Sequence, residues 1–211
     1  MSVPGNGNGR PARSDFETIV QWVKPGARVL DLGCGDGSLL RTLKDTRGVT
    51  GYGVDISDDN VLACVTNGVN VIQSDLEVGL SGFESGSFDY VILSQTLQAM
   101  KHTERLLREM LRVGREGIVS FPNFGFWRAR LQVMAGTMPV SRELPYQWYD
   151  TPNIHLFTIE DFEIFCRAHR LRVLDRAVLT GGQRVSFAPN LLGALAVYRL
   201  DLAHGAAAVG A

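Results

Sequence analysis

Three acids and three glycines are spaced as a ligand-binding set. Asp31-Leu32-Gly33-Cys34-Gly35-Asp36-Gly37 follows an apolar run ending in Val29-Leu30 and leads into Ser38-Leu39-Leu40. A buried strand entering a glycine-rich turn and then a helix lets backbone N–H groups approach a polar ligand at the positive end of that helix. The dinucleotide fingerprint G-x-G-x-x-G would need glycine where Ser38 stands, and the pattern is instead D-x-G-x-G-x-G. Asp31 and Asp36 flank the loop, so a pyrophosphate would meet two carboxylates, which disfavours NAD. Asp55 and Asp75 each close or follow a short apolar run further on. At a strand end beside the glycine loop, Asp55 could accept from both hydroxyls of a ribose. Asp75 lies one strand further out and could accept from an adenine amino group, with Leu76 packed near the ring. Taken singly, the loop could be a ligand-free tight turn and each acid a surface turn residue or helix cap. Together they point to an adenosine-containing ligand.

The elements that would position these residues follow from the apolar pattern. Residues 28–32, 51–55, 69–72, 89–93 and 117–121 are short, nearly continuous apolar runs suited to strands buried on both faces, with room for crossover helices between them. Residues 171–179 and 191–200 resemble a closing pair of strands. A doubly wound α/β sheet is expected. Thr103 precedes an apolar stripe at Leu106, Leu107, Met110 and Leu111, Ser57 precedes Asp58 and Asp59, and Thr158 precedes Glu160 and Asp161; all three mark helix starts. At 211 residues, 45% hydrophobic and 20% charged, the chain can build one self-sufficient core. One domain over 14–203 is expected, between disordered tails at 1–13 and 204–211. The cysteines Cys34, Cys64 and Cys166 are scattered and contain no C-x-x-C, which argues against a disulfide framework or a zinc ribbon and fits a reducing cytoplasm. A net charge of -1 gives no general attraction to nucleic acid or anionic lipid, and no leader or membrane-spanning run is seen. No metal, nucleic-acid or membrane role is expected.

The strand-loop-helix with its following acids resembles the class I S-adenosylmethionine-dependent methyltransferases over about residues 15 to 200. The resemblance implies a Rossmann-like sheet of seven strands with the last antiparallel. It also implies S-adenosylmethionine or S-adenosylhomocysteine as ligand. Gly33, Gly35 and Gly37 would lie against its methionine part, Asp55 and Ile56 at the ribose, Asp75 and Leu76 at the adenine, and Ser94 and Gln95 near the reactive methyl. A zwitterionic methionine end suits backbone amides beside an acid such as Asp31.

Longer words narrow the resemblance: Ser94-Gln95-Thr96-Leu97-Gln98-Ala99, Val119-Ser120-Phe121-Pro122-Asn123-Phe124-Gly125, Met138-Pro139-Val140, and the run from Leu144-Pro145-Tyr146 through Trp148-Tyr149-Asp150-Thr151-Pro152 to His155-Leu156. Together they resemble the methionine-biosynthesis MetW family. Phe126 stands where that family usually carries histidine. The resemblance implies a partner, homoserine O-acyltransferase, which the family is thought to support, and it names no methyl acceptor.

In-line methyl transfer relies on positioning, so a conspicuous nucleophile is not required. No Asn-Pro-Pro-Tyr follows the fourth strand, which removes the usual amide and adenine N-methylation readings. A hydroxyl or thiol acceptor would call for a base, and His102 and His155 are the candidates, each equally readable as a structural histidine. Between Phe121 and Phe157 aromatic residues crowd together, in an insert of about 122–157 leaving the fifth strand. It could be a core extension, a lid over the ligand, or a partner surface with Trp127, Trp148 and Tyr149 as anchors. Three readings remain: a cofactor-binding accessory of the acyltransferase, a self-sufficient small-molecule methyltransferase, and, least supported, an NAD-binding protein.

Overall fold

Short apolar strands alternate with amphipathic helices, and the chain winds into one mixed sheet, seen in a computed structural model that describes residues 13–202. The strands are β1 (Arg28–Leu32), β2 (Thr50–Asp55), β3 (Val71–Gln73), β4 (Phe88–Ser94), β5 (Gly114–Pro122), β6 (Leu171–Thr180), β7 (Gln183–Arg184) and β8 (Leu195–Leu202). Their order is β3-β2-β1-β4-β5-β8-β6-β7. The first five run parallel, and β8 is antiparallel to both β5 and β6. The chain order reverses between β1 and β4, and the carboxyl ends of the strands at such a switch point are the usual ligand position in such sheets.

The helices are α1 (Ser14–Trp22), α2 (Ser38–Arg47), α3 (Asp58–Thr66), α4 (Thr103–Val113), α5 (Trp127–Met134), α6 (Ile159–Ala168) and α7 (Pro189–Leu192). Side chains alternate across a strand, so each sheet face builds its own core. Val29, Ile92 and Val197 meet α1, α2 and α3 through Ile19, Leu43 and Cys64. On the other face Leu30, Leu93 and Tyr198 meet α4 and α6 through Leu107, Met110 and Phe162. The stripe Leu106, Leu107, Met110, Leu111 is buried as its spacing requires. Thr158 and Asp161 form a reciprocal cap at the start of α6.

Three details depart from the sequence expectation. Among the described residues the sheet has eight strands, not seven, because Gly181 and Gly182, both at positive φ (58° and 83°), close a two-residue turn that pairs β7 with the end of β6. The third strand is Val71–Gln73, shifted from 69–72, since Val69 is held by the carbonyl of Cys64 at the end of α3. The apolar run 191–200 is not one strand. Pro189 starts the short α7, and a Cβ at Gly193 would fall 2.6 Å from the Pro189 carbonyl oxygen, so the chain turns there before β8. Of the expected tails, residues 1–12 and 204–211 lie outside the described residues.

Candidate functional site

The loop between β1 and α2 is pinned to β2 where it leaves β1. Gly33 N–H and Cys34 N–H donate to the Val54 carbonyl at 2.8 and 3.1 Å, and Gly33, Gly35 and Gly37 all adopt positive φ. The three glycines differ in what they leave open. A Cβ at Gly33 would come within 2.7 Å of Thr96 Oγ1, and one at Gly37 would press on Cys64 and Val69. At Gly35 a Cβ would meet nothing within 4 Å, so this glycine borders open space while the other two permit close packing. Beneath the loop the thiols of Cys34 and Cys64 lie 3.6 Å apart, and burial pushes both upward, away from the reactive thiolate.

Asp55 is buried and holds the loop in place. Its Oδ2 accepts from Gly35 N–H at 2.9 Å, and its Oδ1 accepts from Ser57 N–H and Asn60 Nδ2, each at 3.0 Å. A carboxylate has about four lone-pair positions, so three donors leave room for a hydroxyl. Asp31 is different. It faces the α1 and α2 side of the sheet with 2% of its surface exposed, and its Oδ1 has no hydrogen-bond partner. Burial, opposed by the positive charge of Arg13 and reinforced by the carboxylates of Asp15 and Asp55, pushes its carboxyl up to about 7. A buried acid left without a donor is destabilising unless something cationic meets it, and an ammonium group answers that need.

Sequence reasoning passed over the residues that close this corner. Asp15, in the first turn of α1, is fully buried; its Oδ2 accepts from Ser94 Oγ and Ser120 Oγ at 2.6 Å each. Burial pushes the Asp15 carboxyl up, but Arg13 and the two serine hydroxyls outweigh it and hold the group below its ordinary range. Arg13 Nη2 reaches Asp15 at 3.0 Å and Ser94 Oγ at 2.6 Å, and its side chain stays 40% exposed. A lone Arg-x-Asp in a polar N-terminal stretch gives no signal; only the packing of α1 across the ends of β4 and β5 brings it here. Ser94 therefore turns its hydroxyl into this network. Gln95 holds a left-handed backbone (φ 53°) with its N–H on Ser120, and its carbonyl accepts from Gln98 Nε2.

The remaining sequence-picked residues spread outward. Asp75 uses Oδ1 to accept from Glu77 N–H at 2.8 Å, which caps the short turn Leu76–Val78, while Leu76 is buried and Ile56 is 63% exposed at the end of β2. His102 and His155 are both exposed and share a cavity of about 810 Å³ between α4 and α6, which includes none of the loop glycines, Asp31 or Asp55. In the insert, Trp148 and Tyr149 are 73% and 72% exposed and stack edge to face at 5.7 Å. Trp127 is 39% exposed, and Phe126 is buried against it. Among the described residues no cluster of His, Cys, Asp or Glu could hold a metal, and no helix is long and apolar enough to cross a membrane.

Residues 13–200 match the family described as "Methionine biosynthesis protein MetW". This chain belongs to the MetW family. It is 42% identical over 157 residues to the bifunctional methionine biosynthesis protein MetXA/MetW of Rhodopirellula baltica, a match covering 70% of this chain and 25% of that protein. It is 37% identical over 112 residues to the ubiquinone/menaquinone biosynthesis C-methyltransferase UbiE of Ectopseudomonas mendocina, covering 48% of this chain and 43% of that one. The chain thus spans less than half the length of either relative. Among solved structures it is similar to the PH0226 protein of Pyrococcus horikoshii (TM-score 0.68, 20% identity, 93% of each chain). A SAM dependent methyltransferase from Archaeoglobus fulgidus is also similar (TM-score 0.66, 17% identity, 89% of this chain and 91% of that one). The fold of this MetW-family chain is the Rossmann-like fold of S-adenosylmethionine-dependent methyltransferases.

Proposed function

We propose that this MetW-family chain binds S-adenosylmethionine or S-adenosylhomocysteine in the crevice above β1 and serves as the supporting partner of a homoserine O-acyltransferase in methionine biosynthesis. The residues fit the ligand. Asp31 offers an unpartnered buried oxygen to the ammonium, and the half-exposed Arg13 guanidinium offers a counter-charge to the carboxylate. Gly35 borders open space for the methionine chain, and Asp55 has capacity left for the ribose. When bound, S-adenosylmethionine would supply an electrophilic methyl group. The chain's own residues, Asp31 and Arg13, would orient its amino-acid end.

The partner reading is carried by one observation: a relative 42% identical over the matched region bears a name that joins MetXA, which we read as the acyltransferase half, to MetW. A fused relative suggests two activities that work side by side. The exposed Trp148 and Tyr149 support it, because large aromatics left in solvent on a monomer are the residue types that anchor interfaces. The likeness to UbiE favours a second reading, a self-sufficient methyltransferase acting on a small molecule in the cytoplasm.

Co-purification with the acyltransferase, with its rate measured in the presence and absence of this chain, tests the proposal. Trp148→Ala and Tyr149→Ala should each weaken the complex by about 2 kcal/mol or more, roughly thirtyfold, and leave the melting temperature and cofactor affinity nearly unchanged. A wild-type chain that neither binds the acyltransferase nor alters its rate, and that methylates a metabolite alone, establishes the second reading instead.

A further inference from the structure

We propose that the cavity between α4 and α6 is a second small-molecule site, built for a ligand that joins an apolar body to a single carboxylate. At about 810 Å³ it falls within the range of ligand pockets, and it stands apart from the glycine-rich crevice. One wall is a stack of phenylalanines: Phe157 lies 6.3 Å from Phe162 at 29°, and Phe162 lies 6.5 Å from Phe165 at 15°. These rings, with Leu97, Ile154 and Leu156, line the cavity with apolar surface suited to an aryl or alkyl body.

The rim carries cationic side chains beside acids that have partners of their own. Lys101, His102, Arg105 and His155 line the cavity beside two acids, Glu104 and Asp161. Both acids are already engaged. Glu104 is held by Arg108 and by His169 Nδ1, each at 3.0 Å, and Asp161 Oδ2 accepts from the Thr158 N–H and hydroxyl at 2.9 and 2.8 Å. Arg105 spends one Nη2 donor on the Val78 carbonyl at 2.8 Å. Lys101 uses only its backbone N–H, on Glu77, which leaves its ammonium for a ligand. The first turn of the eleven-residue α4 adds to this field, since its N-cap, His102, supplies no side-chain cap. One free ammonium and a partly engaged guanidinium, beside the carboxylates of Glu104 and Asp161 that would repel a doubly charged phosphate, match a monoanion better than a dianion.

The roof of the cavity is tied to the same turn that packs on the glycine loop. Ile154 N–H and His155 N–H both donate to the Gln98 carbonyl at 2.8 and 2.9 Å, and Gln98 follows Thr96, which fills the space at Gly33. An occupant would therefore sit next to the crevice without entering it. The site does not depend on the identity of the ligand in that crevice.

Ligand-observed NMR with naphthaleneacetate and its neutral twin naphthaleneacetamide tests the proposal on the full chain. The acid should bind at one site, and the amide about threefold more weakly, as expected for loss of one ion pair at an exposed lysine. Lys101→Glu, at an exposed position, should abolish the preference for the acid. Leu156→Asp, on the cavity wall, should remove binding of both, whereas Phe187→Ala, at an exposed aromatic outside the cavity, should change neither. Melting curves confirm that each variant is folded. Equal binding of acid and amide, a preference that survives Lys101→Glu, no binding of the acid at millimolar concentration, or loss of binding in Phe187→Ala would each overturn the assignment.

Discussion

Protonation of Asp31 should govern cofactor affinity between pH 6 and pH 8. In the ligand-free protein its carboxyl titrates at about 7, and its Oδ1 has no donor. An ammonium placed against that oxygen favours the charged form, so binding must expel the proton wherever it is present. With a pKa of about 7, roughly ten in eleven molecules carry the proton at pH 6 and one in eleven at pH 8, so affinity should be about tenfold weaker at pH 6. S-adenosylhomocysteine is the ligand of choice, because its own ammonium stays charged across this range. Calorimetry in buffers of different ionisation enthalpy should find close to one proton released per ligand at about pH 6 and almost none at about pH 8. Asp31→Asn should bind weakly and with no such pH dependence. The same shift has a stability signature of definite sign. A carboxyl whose folded pKa is raised holds its proton more tightly when folded, so stability falls as pH rises from about 4 to about 7, by on the order of 4 kcal/mol at most. Asp31→Asn should therefore melt higher than wild type at about pH 8 and no higher at about pH 4. A wild-type affinity that is flat from pH 6 to pH 8, or an equal slope in Asp31→Asn, would refute the assignment of Asp31 to the ammonium.

Two further outcomes follow from the loop. Gly35→Val places a β-branched side chain at φ 58° in open space, so we expect cofactor binding to vanish while stability falls by only about 1 to 2 kcal/mol, measured by calorimetry and chemical denaturation. A folded Gly35→Val that binds normally would show that the loop does not face the ligand. Asp55→Ala removes the acceptor of three hydrogen bonds that tie Gly35, Ser57 and Asn60 together, so stability and affinity should fall together, by about 1.5 to 3 kcal/mol for each charged bond that no water replaces. Loss of affinity with unchanged stability would mean that Asp55 serves the ligand alone.

The sequence by itself determined the parallel half of the sheet and the strand-loop-helix at its centre. Five apolar runs with crossover lengths between them can bury both faces only as a parallel sheet, and D-x-G-x-G-x-G after the first run marks the turn from β1 into α2. Local chemistry was enough for the capping box at Thr158 and for the apolar stripe of α4, because each depends on residues within a turn or two. Even the extra strand was written locally in Gly181-Gly182, a hairpin signal that the apolar pattern alone hides. What the sequence could not show is which residues meet across long separations. Asp15 reaches Ser94 and Ser120 over 79 and 105 residues, so that Arg13, at the edge of a polar tail, becomes part of the site. The roles of the three glycines separate only through Thr96 and Cys64, which are brought against Gly33 and Gly37 by other elements. His102 and His155 meet in one cavity for the same reason. Backbone periodicity is a property of neighbours in the chain, whereas burial of a carboxylate and the charge that answers it are properties of the assembled core, and those the tertiary structure alone decided.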